Sequence, residues 1–212
     1  MIVEICGIDG SGKSTLIDNL RGRIHTESPC WAYERVFRFR TKRFMDWIAQ
    51  SEGEATARSL FPNDTVQLAQ AFDLVEEAVR EFHYDTMDSR QVYFVTNYRA
   101  SGLAEAYVAA SALLEPMTKV YALAPVPALL LYLKLPPEDA LARIQARPQG
   151  DQLLRAASPL DALTSLSGAF EYVIESTTYP HVTLDATMPA ADLAECAFDA
   201  IQQVNTHLVA AF

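Results

Sequence analysis

The segment Gly7–Thr15, GIDGSGKST, follows directly on the apolar run MIVEIC. Three of the chain's 8 glycines stand in these nine positions, with a lysine and two adjacent hydroxyls at the end. The pattern Gly7-x-x-x-x-Gly12-Lys13-Ser14, set between a strand and a helix, constrains the fold more than any other stretch. Glycine lacks a Cβ, so a glycine-rich turn can wrap closely enough to aim several backbone N–H groups at phosphate oxygens. The helix N-terminus that follows adds partial positive charge at the same point. Gly7, Gly10, Ser11, Gly12, Lys13, Ser14 and Thr15, with Asp9 among them, therefore read as a cradle for a nucleoside triphosphate. Lys13 would reach the β- and γ-phosphates and the Ser14 hydroxyl would ligate the metal, which makes ATP and Mg²⁺ the expected cofactors.

Strands and helices alternate around this loop. Met1–Cys6, Trp31–Arg35, Val92–Thr96, Leu129–Leu135 and Val182–Leu184 read as strands, being short apolar or β-branched runs. Helices are expected at Ser14–Arg23, at about Thr65–Phe82 behind Asn63-Asp64, at Leu103–Leu114, from Pro137 to about Ala146, around Pro159–Ser176 and from about Ala190 to Leu208. In the helix at 65–82 the apolar stripe is read as Leu68, Ala71, Phe72, Val75, Val79 and Phe82, with Phe72 in the core. Such alternation implies an α/β fold with a parallel sheet covered by helices on both faces. The chain shows no internal repeat and no linker, so residues 1–212 are expected to form one domain, with the polar stretch 147–158 as a short irregular segment.

Composition narrows the partners. A net charge of −10 disfavours a nucleic-acid polymer, whose backbone needs a broad basic surface. The longest apolar run, Tyr121–Leu133, holds two prolines and is too short to cross a bilayer, and no signal peptide is expected. Cys6, Cys30 and Cys196 are odd in number and far apart, which fits a reduced cytoplasmic compartment and no metal site. One basic cluster stands out, in which Arg35, Arg38, Arg40, Lys42 and Arg43 crowd into nine positions.

A GTPase would carry Asn-Lys-x-Asp and a motor ATPase an apolar strand ending in Asp-Glu; neither is present. A small phosphotransferase remains. GIDGSGKST resembles the thymidylate kinase loop, G-x-D-G-x-G-K-[ST]-T. Leu131–Arg147, LYLKLPPEDALARIQAR, is similar to that family's strand-then-helix segment, and Phe170–Tyr172, Tyr179-Pro180 and Val182–Ala186 resemble its last helix and strand. Tyr33-Glu34-Arg35 sits where the family has Arg-Glu-Pro. The resemblance implies a three-layer P-loop kinase fold with a five-stranded parallel sheet and a mobile lid at 147–158. It also implies Arg143 and Arg147 near the adenine or phosphates, Arg155 as a lid residue able to reach the transferring phosphoryl, Asp9 facing the acceptor, and a homodimer. Lid closure would keep water from the phosphoryl group.

The match fails in two places. Where the family carries Asp-Arg-[Tyr/Trp] after its third strand, then Ser-x-x-Ala-Tyr, this chain has Asn97-Tyr98-Arg99 and Ala106-Tyr107. Asn97 replaces the acid if the strand sets the alignment, and Tyr98 if Ala106-Tyr107 does; either way Arg99 is the arginine at hand for a phosphate. Where the family has Phe-Ala-Ala-Asp-Arg, this chain has Gln70-Ala71-Phe72-Asp73-Leu74, so the stacking ring and the arginine are lost and only Asp73 agrees. The expected acceptor is therefore nucleotide-like, a small molecule other than ordinary thymidine monophosphate. It would be met by Arg35, Arg38, Gln70, Asp73, Asn97, Arg99 and Tyr107. Lys13, Arg35 and Arg99 would serve the transfer, and Glu34 or Asp9 would assist the attacking oxygen. The alternatives are a kinase of a nucleoside or a specialised metabolite's hydroxyl, or an ATP-binding sensor that has lost catalysis.

Overall fold

The computed structural model describes residues 1–27, 30–82, 90–109, 112–148 and 150–205, with the side chains of Gln152 and Arg155 outside that description. They fall into two compact units, built from the described residues of Met1–Arg35, Met87–Thr96 and Pro127–Phe212, and of Val36–Thr86 and Asn97–Val126.

The first unit is a five-stranded, wholly parallel sheet. Its strands are β1 (Ile2–Cys6), β2 (Trp31–Arg35), β3 (Gln91–Val95), β4 (Leu129–Lys134) and β5 (His181–Asp185), in the order β2-β3-β1-β4-β5. β1 takes the centre, with Val3 opposite Phe94 on one side and Leu129 on the other. Every residue of β1 is buried, and all of β4 but its last, as expected of strands covered on both faces. Helix α1 (Lys13–Glu27) carries the chain leftward from β1 to β2, and later helices carry it rightward from β4 to β5. Parallel crossovers are right-handed, so these two connections lie on opposite faces.

The second unit is helical. It contains α2 (Arg40–Ser51), α3 (Ala57–Leu60), α4 (Asn63–Glu81), α5 (Arg99–Val108) and α6 (Leu114–Tyr121). Phe37 lies flat on Tyr98 at 5.2 Å and edge-on to Phe82 at 6.2 Å, and the Tyr98 hydroxyl donates to the Pro125 carbonyl at 2.8 Å. Met45, Ala57 and Val66 form a second cluster. The first unit also holds α7 (Pro137–Gln145), α8 (Pro159–Glu175) and α9 (Ala190–Val204), with a 3-10 turn at Gln152–Arg155 between α7 and α8. Pro137 and Pro159 stand in first turns, where a missing N–H costs nothing, and Glu138 and Asp139 favour the positive end of α7.

Several expectations need correction. The stripe on α4 is rotated: Val66, Gln67, Ala71, Leu74, Glu77 and Ala78 are the buried residues, while Phe72 is 55% exposed and Val79 is exposed too. Two polar side chains, Gln67 and Glu77, occupy inner positions, so the apolar pattern misstates the phase. The basic run is half helical, Arg40–Arg43 forming the start of α2. Helix α5 begins at Arg99 and stops at Val108, short of the expected Leu114. Leu114 instead opens α6, an unexpected helix, with Pro116 in its first turn. The final helix is described to Val204, and residues 206–208 of the expected span lie outside the described residues.

Asp73 illustrates how polar groups hold the second unit together. Its carboxylate on α4 accepts from Thr41 N at 2.7 Å, Thr41 Oγ1 at 2.6 Å and Lys42 N at 3.3 Å, capping α2 from outside. Asp73→Ala leaves those first-turn amides without their acceptor and is expected to cost about 1 kcal/mol, the usual worth of a cap. A lower urea midpoint with an unchanged slope would show it; an unchanged midpoint would refute the capping role.

Candidate active site

The loop between β1 and α1 is shaped from behind by two carbonyls. Gly7 has φ 145°, and a Cβ there would stand 2.6 Å from the Leu133 carbonyl oxygen. Gly10 has φ 84°, and its Cβ would stand 2.7 Å from the Ala140 carbonyl oxygen. Either position excludes a side chain on both sterics and backbone angle. The opposite side is open: a Cβ on Gly12 would meet nothing within 4 Å. Ser11 N donates to the Ile8 carbonyl at 3.2 Å, closing the turn, and Leu16 N donates to the Gly12 carbonyl at 2.9 Å as the first bond of α1. Helix geometry therefore leaves the amides of Lys13, Ser14 and Thr15 without an intrahelical acceptor. Ser14 and Thr15 are exposed, and the buried Ser11 Oγ has no hydrogen-bond partner. Open space, donor amides and an unsatisfied hydroxyl are what a polyphosphate requires.

Lys13 folds back over the loop. Its Nζ donates to the carbonyls of Gly7 at 2.8 Å and Ile8 at 3.0 Å, and the Asp9 carboxylate lies 3.9 Å away. Burial pushes the ammonium below the usual lysine range; Asp9 opposes that shift and Arg147 adds to it. Burial, reinforced by Glu4, pushes the neighbouring Cys6 thiol well up, so it is no nucleophile. Arg143 donates to the Ala186 carbonyl at 2.9 Å and its Nη1 lies 3.5 Å from the Gly10 carbonyl. A cleft of about 480 Å³ opens there, lined by Ser11, Gly12, Thr15, Arg143, Ala186 and Met188 among others. Arg147 pairs with Asp151, whose other carboxylate oxygen accepts from Leu153 N at 3.0 Å and so shapes the 147–158 segment. The Arg155 side chain lies outside the described residues.

A second cavity lies wholly within the helical unit, about 480 Å³ out to its mouth. Helix α4 supplies Gln67, Gln70 and Leu74; α5 supplies Ser101, Gly102 and Glu105; α6 supplies Met117 and Tyr121; Phe39 and Asn97 complete the wall. No lysine, arginine or histidine is among these residues. Gln67 is 4% exposed, donates through Nε2 to the Glu105 carbonyl at 3.2 Å, and leaves Oε1 buried without a partner. Such an orphan costs about 1–3 kcal/mol, a deficit a ligand can remove. Asn97 holds φ 51°, a left-handed conformation that asparagine accepts better than most residues.

Of the residues expected around an acceptor, Gln70 and Asn97 line this cavity. Asp73 is engaged by α2, and Arg99 Nη1 donates to the Ala124 carbonyl at 3.3 Å. The Arg38 amide donates to Glu77 at 2.6 Å while its side chain is exposed, as is Tyr107. Glu34 and Arg35 end β2 in the first unit, the former exposed and the latter half-buried. Tyr98 belongs to the aromatic core, which leaves Asn97 as the residue at the cavity. No sequence pattern marks Phe39, Glu105 or Tyr121, which come from three separate segments. Only the phase of α4 could have revealed Gln67.

Gly102 sets the fit between α5 and α6, because a Cβ there would overlap the Tyr121 ring. Gly102→Ala is expected to destabilise the protein by about 1–3 kcal/mol through overpacking, unlike an ordinary helical Gly→Ala change. A melting temperature equal to or above that of the parent would show that the contact is not constraining.

Among the described residues no group of three His, Cys, Asp or Glu could hold a metal, and no helix is long and apolar enough to cross a membrane. No individually curated protein matches the chain. The family model described as Thymidylate kinase matches residues 5–195, spanning the end of β1, the loop, the other four strands and the helical unit. The chain therefore belongs to the thymidylate kinase family, phosphotransferases of the nucleoside monophosphate kinase kind that generally use ATP and Mg²⁺.

Proposed function

We propose that this chain, acting as one P-loop kinase domain over residues 1–212, transfers the γ-phosphoryl group of ATP to a nucleotide-like acceptor other than ordinary thymidine monophosphate. The observation that carries the ATP half is the loop itself: an open face at Gly12, free amides at Lys13–Thr15 and a lysine beside them. The nucleotide supplies the reactive phosphoanhydride and, with Mg²⁺, a template for in-line transfer. Lys13 and the loop amides would bind and neutralise the phosphate oxygens, Thr15 would support the same phosphates, and Ser14 would hold the metal. The Ser14 hydroxyl and the nucleotide's own phosphates would hold Mg²⁺, with Glu34 or Asp9 adding negative charge. Arg143, between the Gly10 and Ala186 carbonyls, would flank the adenine side of the cleft. Arg147 and Arg155 on the 147–158 segment would close over the phosphates and exclude water. Arg35, Arg38 and Arg99 are the proposed cations for an anionic acceptor, Arg99 after leaving the Ala124 carbonyl. Glu34 or Asp9 would assist the attacking oxygen, and Tyr107 and Asp73 would act as supports.

The departure from thymidine monophosphate rests on Gln70 and Leu74, which bring to the cavity neither an aromatic face nor an arginine. A nucleoside or another hydroxyl-bearing metabolite remains the second reading, since no cation lines that cavity among the described residues. The left-handed backbone at Asn97 gives the amide there a conformational reason, which weakens the case for lost catalysis. That none of Cys6, Cys30 and Cys196 stands in a disulfide fits a cytoplasmic enzyme.

Lys13→Ala is expected to lower phosphoryl transfer about 10²–10³-fold or more, since an electrostatic donor at the reacting group is removed. ADP release measured across a panel of nucleoside monophosphates, nucleosides and metabolite alcohols checks it. A variant that keeps most of its turnover would rule out the role, and no ADP release on any acceptor, in parent and Asn97→Asp alike, would support the sensor reading instead.

A homodimer is also proposed, through the outer face of the helical unit. Phe44 and Trp47 stack at 5.8 Å on α2, 59% and 62% exposed, on a helix that packs with α4, whose Phe72 is also exposed. Sedimentation should give twice the monomer mass, falling to the monomer in Trp47→Glu; a monomeric parent would dismiss it.

A further inference from the structure

The cavity of the helical unit has a fixed sign. Gln67 Nε2 lies 3.2 Å from the Glu105 carbonyl oxygen, and a carbonyl can only accept, so the orientation of that amide is settled. What remains of Gln67 is an acceptor, Oε1, buried and without a partner. The Glu105 side chain is a second obligate acceptor: Arg58 takes its Oε2 at 3.0 Å, and an ionised carboxylate has further lone pairs and no donor. Gln70, Asn97 and Ser101 can each donate or accept, so they adapt to either kind of ligand. Among the described lining residues, Gln67 Oε1 and the Glu105 carboxylate are fixed acceptors and none is a cation. Phe39, Leu74 and Met117 supply apolar surface suited to a flat ring.

Resting on the kinase reading above, we infer that the acceptor is an amino-bearing nucleotide, its base presenting exocyclic N–H donors to Gln67 Oε1 and Glu105. Cytosine, adenine and guanine carry such an amino group. Thymine and uracil offer one ring N–H between two carbonyls, and a carbonyl set against Gln67 Oε1 or the Glu105 carboxylate is repelled. A site built to satisfy a ligand's donors rejects the analogue lacking them strongly, because its own buried acceptors are then left unpaired. An aliphatic amine shares the donor chemistry but cannot use the apolar walls.

Calorimetric titration of the whole protein with dTMP, UMP, CMP, AMP, GMP and, separately, spermidine tests this without any phosphoryl transfer. At least one amino-bearing monophosphate should bind ten-fold or more tightly than dTMP and UMP. Gln67→Met, which keeps the bulk and removes the acceptor, should bring that ratio close to one. Should that variant fail to fold, Glu105→Gln, at a partly exposed side chain, should reduce the ratio in the same direction. Tighter binding of dTMP or UMP, a preference for spermidine, or a ratio untouched in both variants would overturn the inference. Binding of an unhydrolysable ATP analogue with no monophosphate bound would also overturn it while leaving the loop assignment standing.

Discussion

Two backbone carbonyls pressing on two glycines are the constraint from which the rest follows. Leu133 O, on β4, and Ala140 O, on α7, leave no room for a Cβ at Gly7 or Gly10. The loop is thereby pinned to the strand and helix next to β1, with its amides turned to the open side. A loop free to relax would satisfy those amides with its own side chains or carbonyls. Pinned, it keeps Lys13, Ser14 and Thr15 unsatisfied at the head of α1, and the helix contributes its positive end there. Helix α7 also delivers Arg143, so its packing arranges both the phosphate cradle and the cleft beside it.

The central position of β1 serves that purpose. A parallel strand flanked by β3 and β4 is buried along its whole length, and its C-terminal end is where ligands collect in open α/β sheets. Lys13 bears the cost of this placement. Partial burial works against its charge, and the carbonyls of Gly7 and Ile8 with nearby Asp9 offset part of that. An arriving polyphosphate would offer the ammonium a stronger partner than those carbonyls.

Legibility from sequence followed the range of the interactions. The loop could be read because its chemistry is local: nine consecutive residues, backbone donors, and glycines whose steric reason is intrinsic. All five strands and most helices could be read from periodicity. The helical unit was harder. Helix α2 begins with Arg40, Thr41, Lys42 and Arg43, which look like a solvated run, and its N-terminus is secured by Asp73 from α4 rather than by any residue nearby in sequence. On α4, Gln67 and Glu77 are buried and Phe72 is exposed, so the stripe of apolar residues caught Ala71 and Phe82 but misplaced the phase of the buried face. The cavity draws on α4, α5, α6, Phe39 and Asn97, a set no spacing rule connects. The substitutions at Gln70 and Asn97 could be seen beforehand, but not the acceptor pair of Gln67 and Glu105, because an amide's free atom is defined only by what holds the other one.

The most direct measurement is a ¹⁵N amide titration of the protein with ATP and Mg²⁺, compared with adenosine alone. If the loop cradles the polyphosphate, resonances of Gly10 through Thr15 shift markedly with the triphosphate and hardly with the nucleoside. Loop amides that stay put under saturating triphosphate, or that respond equally to adenosine, would contradict a phosphate-binding role for the segment.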